Sequence, residues 1–162
     1  MVSELIRDRW QKRQKTMAVL IDPDHFDLEK FKHWAEKLRA LPFPYLYFVG
    51  GSLLSTHRFE EIIVQIKEVE SDVPVVLFPG SAFQISKRAD AILYLSLLSG
   101  RNPEYLIGQQ VTAVPALRAA DIEIMSTSYL LIGCGNSTTV QYVTQTQPIP
   151  YDKPTIAAQT AL

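Results

Sequence analysis

The chain has a single cysteine, Cys134, among 162 residues, so an internal disulfide framework is excluded and a reducing compartment is expected. It has no apolar run approaching the ~20 residues of a membrane span. Its first fifteen residues, MVSELIRDRWQKRQK, are charged throughout and lack the apolar centre of a secretory leader. It has no excess of either charge: the formal net charge is -1, which gives no electrostatic footprint for nucleic acid. No repeat and no low-complexity linker divides it. These absences leave a cytoplasmic globular protein as the expectation. With 47% hydrophobic and 20% charged residues, 162 residues suffice for one domain with a sizeable core.

What is present is an alternation. Five apolar runs occur at residues 16–22, 45–50, 73–78, 91–97 and 122–133. Each is continuous rather than strictly alternating, as expected for parallel strands buried on both faces. Helical patterns lie between them. Residues 26–41 place Phe31, Trp34, Ala35 and Leu38 at helical spacing behind Asp27 as an N-cap. Residues 59–69 place Ile62, Ile63, Ile66 and Val69 on one face. A short helix is predicted over 103–110, opened by Pro103, and another over 153–162. Strand, helix, strand, helix predicts an α/β fold with a parallel sheet. The stretch from Gly133 to Pro154, rich in Thr, Gln and Ser, is long for a connection and reads as irregular or functional.

The C-terminal ends of the runs are polar. The first closes on Asp22-Pro23-Asp24, the second on Gly50-Gly51-Ser52, the third on Pro79-Gly80-Ser81 and the fourth on Ser99-Gly100-Arg101-Asn102. In barrels and open α/β sheets alike, ligands bind at that edge. Glycine permits close approach of backbone to a phosphate, serine and aspartate are hard oxygen ligands of the Mg²⁺ type, and arginine clamps phosphate bidentately. Taken singly, Asp22 reads equally as a turn cap and as a ligand, and Gly50-Gly51-Ser52 more often as a turn than as a ligand cradle. A calcium loop is excluded. Counting from Asp22, the positions that need Asp or Asn, Gly and Glu hold Phe26, Asp27 and His33. His33, His57, Cys134 and the basic residues of 7–15 read as surface, and Trp34 as packing.

The segments AVLIDPDH, YFVGGSLLS, VVLFPGSAFQIS, ADAILYLSLLSGRNPEYLIGQQ and PIPYDKPTIAAQTAL, in this order, resemble the geranylgeranylglyceryl phosphate synthases, in particular the bacterial-type group related to the PcrB proteins. The resemblance runs from about Met17 to Leu162. It implies a TIM-barrel-like (β/α)8 fold with about five parallel β/α units in this chain. Residues 1–162 are then a single domain, the N-terminal part of the barrel. It implies a Mg²⁺-dependent prenyltransferase that joins the C3 hydroxyl of sn-glycerol 1-phosphate to a prenyl diphosphate, in ether phospholipid biosynthesis.

By the same resemblance Asp22 and Ser52 are metal ligands, and Gly50, Gly51, Ser81, Arg101 and Asn102 are placed at the diphosphate. Tyr94, Leu97, Leu98, Tyr105 and Tyr129 are candidate prenyl-pocket residues, each equally readable as ordinary packing. The general base and the glycerol phosphate loops are expected beyond Leu162. The chain alone is therefore expected to be incomplete, inactive and self-associating, with weak contact to a membrane surface possible for a lipid-handling protein. His25 stands where the family pattern has lysine, and Ser126 and Ser128 stand where it has proline and glycine. Two other readings stay open: a phosphate-binding barrel isomerase with Asp22 as base, and an inactive half-barrel acting through its own exposed edges.

Overall fold

The computed structural model describes residues 1–162. A single five-stranded parallel sheet forms in chain order: β1 (Met17–Ile21), β2 (Tyr45–Val49), β3 (Val75–Leu77), β4 (Ala91–Leu97) and β5 (Glu123–Tyr129). The helices α1 (Val2–Gln11), α2 (Leu28–Arg39), α3 (Phe59–Val69), α4 (Gln109–Ala120), α5 (Thr139–Thr144) and α6 (Pro154–Ala161) complete the chain. Helices cross over between β1 and β2, β2 and β3, and β4 and β5, while residues 78–90 join β3 to β4 without a helix; the sequential parallel order is that of consecutive units of a β/α barrel.

Strand side chains sort into two layers, because successive residues point to opposite faces. Tyr47, Val49, Val75, Leu77 and Ile92 face α2 and α3. There they pack with Phe31, Leu38, Ile62, Ile63 and Ile66. Leu46, Val76, Ala91 and Leu93 face the other way and pack with Val2 of α1. Helix α1 thus covers the inner face of the sheet near the N-terminal ends of its strands. Its Val2 N–H and Ser3 N–H both donate to the Glu123 carboxylate at the start of β5. Burial works to raise the Glu123 pKa, but these bonds outweigh it and hold the group below the usual range.

Burial on both faces holds for the inner strands and fails at the edges. β1 exposes Ala18 and Leu20, and β5 exposes Ile124, Ser126 and Ser128. Each edge strand has a neighbour on one side only. The expected strand over 122–133 ends at Tyr129, and Trp34 is 60% exposed rather than packed.

The predicted short helix over 103–110 is also corrected. A π-helical turn, Glu104–Gly108, runs straight into α4, which continues to Ala120 through Pro115. Proline removes one backbone bond, but Pro115 lies on the exposed face of α4, where water replaces the lost partner. Ala113 and Leu117 hold the opposite face in the core.

The Thr- and Gln-rich stretch forms α5. Its Thr138 cap accepts from Gln141 N–H, and a parallel bridge joins Ile132 to Ile149. At the N-terminal edge of the sheet, Arg39 Nε meets the buried Glu70 carboxylate at 2.6 Å and Tyr45 donates to it at 3.1 Å. Burial pushes the Tyr45 and Tyr47 phenols up. This cluster ties β2, α2 and α3 together at the end of the sheet away from the glycine loops.

Candidate functional site at the C-terminal edge of the sheet

Parallel pairing of Ile21 with Val49 puts the residues that follow β1 and β2 at the same edge. Asp22 and Ser52 therefore lie at the same end of adjacent strands. The chain leaves β1 in a 3₁₀ turn, Pro23–His25, which Asp22 caps by accepting from Asp24 N–H at 3.0 Å. The other Asp22 carboxylate oxygen is 3.2 Å from His25 Nδ1. A Cβ placed on Gly51 would lie 3.4 Å from Asp22 Oδ1. The carboxylate that caps the turn thus also faces the β2 loop, and the turn and the site are one structure.

Asp24 carries the second link. Its carboxylate accepts from Ser55 N–H at 3.1 and 3.0 Å and from Thr56 N–H at 2.8 Å, binding the β1 loop to the β2 loop. The bond from Ser55 is the main reason its pKa is lowered. Between the anchored ends, no hydrogen bond within the chain occupies the N–H groups of residues 51–54. The Gly50 N–H, by contrast, is spent on Ile21 O at 3.2 Å. The loops are also packed to backbone contact. A Cβ on Gly50 would fall 1.9 Å from Phe78 O, and one on Gly80 would fall 2.3 Å from Gly51 O.

Beside these loops opens a cavity of about 290 Å³, and 15 of its 24 lining residues are hydrophobic. Gly50, Gly51, Ser52 and Ser81 border it, and Tyr94, Leu97, Tyr105 and Tyr129 line it. Tyr129 is half-buried, its phenol pushed up by burial, and it meets Phe78 edge-on at 5.9 Å. Tyr94 donates to Gln110 O at 2.9 Å, so its ring lies between β4 and α4.

Asp22, Leu98, Arg101 and Asn102 are not among the lining residues. Leu98 N–H donates to Tyr129 O at 3.0 Å, and Arg101 donates to the neighbouring Gly100 O at 3.0 Å. Asn102 donates to Thr144 O at 2.9 Å and accepts from Glu104 N–H at 3.1 Å.

Several lining residues carry no signal in the sequence. Val140, Val143 and Thr144 come from α5, inside the stretch read as irregular or functional without any residue singled out, and Ala113 and Leu117 from the part of α4 beyond the predicted helix. Gln84 and Gln109 tie the β3 loop down. They were missed because a neutral amide belongs to no catalytic or metal motif.

No group of three or more His, Cys, Asp or Glu residues converges anywhere to hold a metal. A cage of protein ligands is therefore absent. The oxygen ligands at this edge are instead one carboxylate, Asp22, and the hydroxyl of Ser52 in the next loop, with the N–H groups of 51–54 open to an anion. That suits a hard cation of the Mg²⁺ kind, which takes one or two carboxylates and fills its shell with water and substrate phosphate oxygens.

The fold and the edge site define a β/α-barrel-type protein with an apolar cavity set against glycine loops suited to an anion. The sequence places it further: a family model described as the PcrB family matches residues 9–162, and the chain belongs to that family. It is 49% identical over 155 residues to the geranylgeranylglyceryl phosphate synthase of Chitinophaga pinensis, covering 96% of this chain and 61% of that one. It is 42% identical over 160 residues to the synthase of Flavobacterium johnsoniae, covering 99% and 65%. A crystal structure of the Thermoplasma acidophilum (S)-3-O-geranylgeranylglyceryl phosphate synthase in complex with sn-glycerol-1-phosphate superposes with a TM-score of 0.83. Identity to it is 34%, over 94% of this chain and 61% of that chain. The Thermoplasma volcanium synthase gives 0.76 at 31% identity, over 91% and 61%. The chain thus spans about three fifths of the length of these relatives.

Proposed function

We propose that this chain supplies the prenyl diphosphate half of a transferase that moves a prenyl group onto the C3 hydroxyl of sn-glycerol 1-phosphate, in ether phospholipid biosynthesis. The observation that carries this reading is the apolar cavity abutting a loop with four consecutive unoccupied N–H groups and an adjacent carboxylate. A prenyl diphosphate has the matching shape: a long apolar tail ending in a compact, highly charged head.

In this reading the tail lies against Tyr94, Leu97, Tyr105, Ala113 and Tyr129. The head meets residues 51–54, whose N–H groups donate to phosphate oxygens. Asp22 and the Ser52 hydroxyl would hold Mg²⁺, which would offset the negative charge of the departing diphosphate. The protein excludes water from the allylic carbon and fixes it relative to the incoming hydroxyl, so that attack forms the ether bond as the carbon–oxygen bond to diphosphate breaks. No carboxylate, histidine or lysine lines the cavity to take the hydroxyl proton. The resemblance assigns that base and the glycerol phosphate contacts to β/α units outside these residues, so residues 1–162 alone are expected to bind prenyl diphosphate without turning it over.

The test is incubation of this chain, and of the protein carrying all the units its relatives have, with labelled sn-glycerol 1-phosphate. Prenyl diphosphates of several lengths are supplied with and without Mg²⁺. Metal-dependent ether formation is expected from the latter. Transfer that ignores Mg²⁺, or no binding of prenyl diphosphate by either form, would sink the proposal.

A further inference from the structure

Gln84 is 6% exposed, and its carboxamide joins the two strand-end loops beside the cavity. Its Oε1 accepts from Gly80 N–H at 3.0 Å, and its Nε2 donates to Gly51 O at 2.9 Å. From the facing helix, Gln109 Oε1 accepts from Ala82 N–H at 3.0 Å. The N–H groups of Gly80 and Ala82 are thereby withdrawn from any anion. Between Gly80 and Gln84 only the Ser81 N–H stays open, and the run of consecutive open N–H groups lies in the other loop, residues 51–54. Two side chains fix that loop: Asp24 at Ser55 and Thr56, and Gln84 at Gly51.

We propose that Gln84 is a positioning residue for the diphosphate, a strut that holds the 51–54 loop in its anion-accepting form by tying Gly51 to Gly80. The inference rests on the diphosphate reading above. A loop without internal hydrogen bonds has many conformations, and a ligand that must order it binds more weakly than one meeting it pre-formed. The strut demands an amide in one orientation, acceptor toward Gly80 and donor toward Gly51. A carboxylate keeps the first bond and turns the second into an oxygen–oxygen repulsion, which protonation reverses. A methionine of similar length keeps the packing and loses both bonds.

The experiment titrates inorganic pyrophosphate, with Mg²⁺, into the full chain and its Gln84→Met and Gln84→Glu variants from pH 5 to 8. Amide exchange is followed in residues 51–56 and 80–83. Gln84→Met is expected to bind roughly tenfold more weakly, with faster exchange in both loops. Gln84→Glu is expected to be equally weak at pH 8 and to recover, relative to wild type, as pH falls. That reversal within one polypeptide keeps the test decisive if Gln84→Met does not fold. Wild-type affinity in either variant at pH 8, or loosened loops with unchanged affinity, overturns the positioning role. Wild-type protein that binds no pyrophosphate overturns the diphosphate reading and the ligand half of this one, while exchange still reports whether Gln84 holds the loops.

Discussion

The α-carbon of Gly80 faces the carbonyl oxygen of Gly51 so closely that a methyl group on Gly80 would lie 2.3 Å from that oxygen and 2.8 Å from Ser52 Cα. Two loops that follow different strands are thus in backbone contact, beside the mouth of the apolar cavity.

Gly80→Ala is expected to force the two loops apart, because backbone rather than a flexible side chain occupies the space. The cost of such overpacking is about 1–3 kcal/mol. Urea unfolding of the variant checks the stability, and an unchanged midpoint would mean that the loops yield freely and are not locked.

Asp22→Asn in the transferase carrying all its units is expected to keep its fold and lose prenyl transfer by roughly 100-fold or more. Asparagine caps a turn as well as aspartate does. The charge that would hold Mg²⁺ is gone, and such electrostatic stabilisation is worth several kcal/mol. Steady-state rates beside a thermal melt decide it, and a well-folded variant with wild-type turnover would remove Asp22 from the site.

Asp24 predicts a pH dependence. Its carboxyl is lowered from an ordinary value of 3.8, chiefly by the bond from Ser55 N–H. A depressed carboxyl contributes stability that is present above the unfolded pKa. That contribution is lost as pH falls through the folded one. The tether from Asp24 to residues 55 and 56 is therefore expected to hold at pH 5 and to loosen below about pH 4. Amide exchange of Ser55 and Thr56 over that range measures it. Asp24→Asn, which cannot ionise, should leave both amides less protected throughout, with no such step.

Ala113→Phe is expected to shorten the cavity, since Ala113 is buried where α4 lines it. Long prenyl diphosphates should lose affinity before short ones. If affinity for long and short chains falls in equal proportion, the tail does not run along α4.

The sequence by itself determined the parallel α/β order, because continuous apolar runs alternating with helical periodicity admit few other arrangements. It also placed the polar strand ends at one edge, since parallel pairing carries every C-terminus the same way. The family was legible in short motifs whose order survives without coordinates.

The tertiary structure alone decided the rest. Pro115 reads as a helix breaker, yet α4 passes through it, because Ala113 and Leu117 hold one face in the core while water meets the other. β1 and β5, the outermost strands, each expose one face where no layer packs over them, a property of sheet position that a strand's own residues do not encode. Arg101, a phosphate clamp by residue type, donates to the adjacent Gly100 carbonyl instead. Gln84, silent as a residue type, binds Gly51 and Gly80 because burial leaves its amide no water to turn to. A side chain's chemistry is written in the sequence, but its partners are set by which backbone groups the packed fold leaves within about 3 Å.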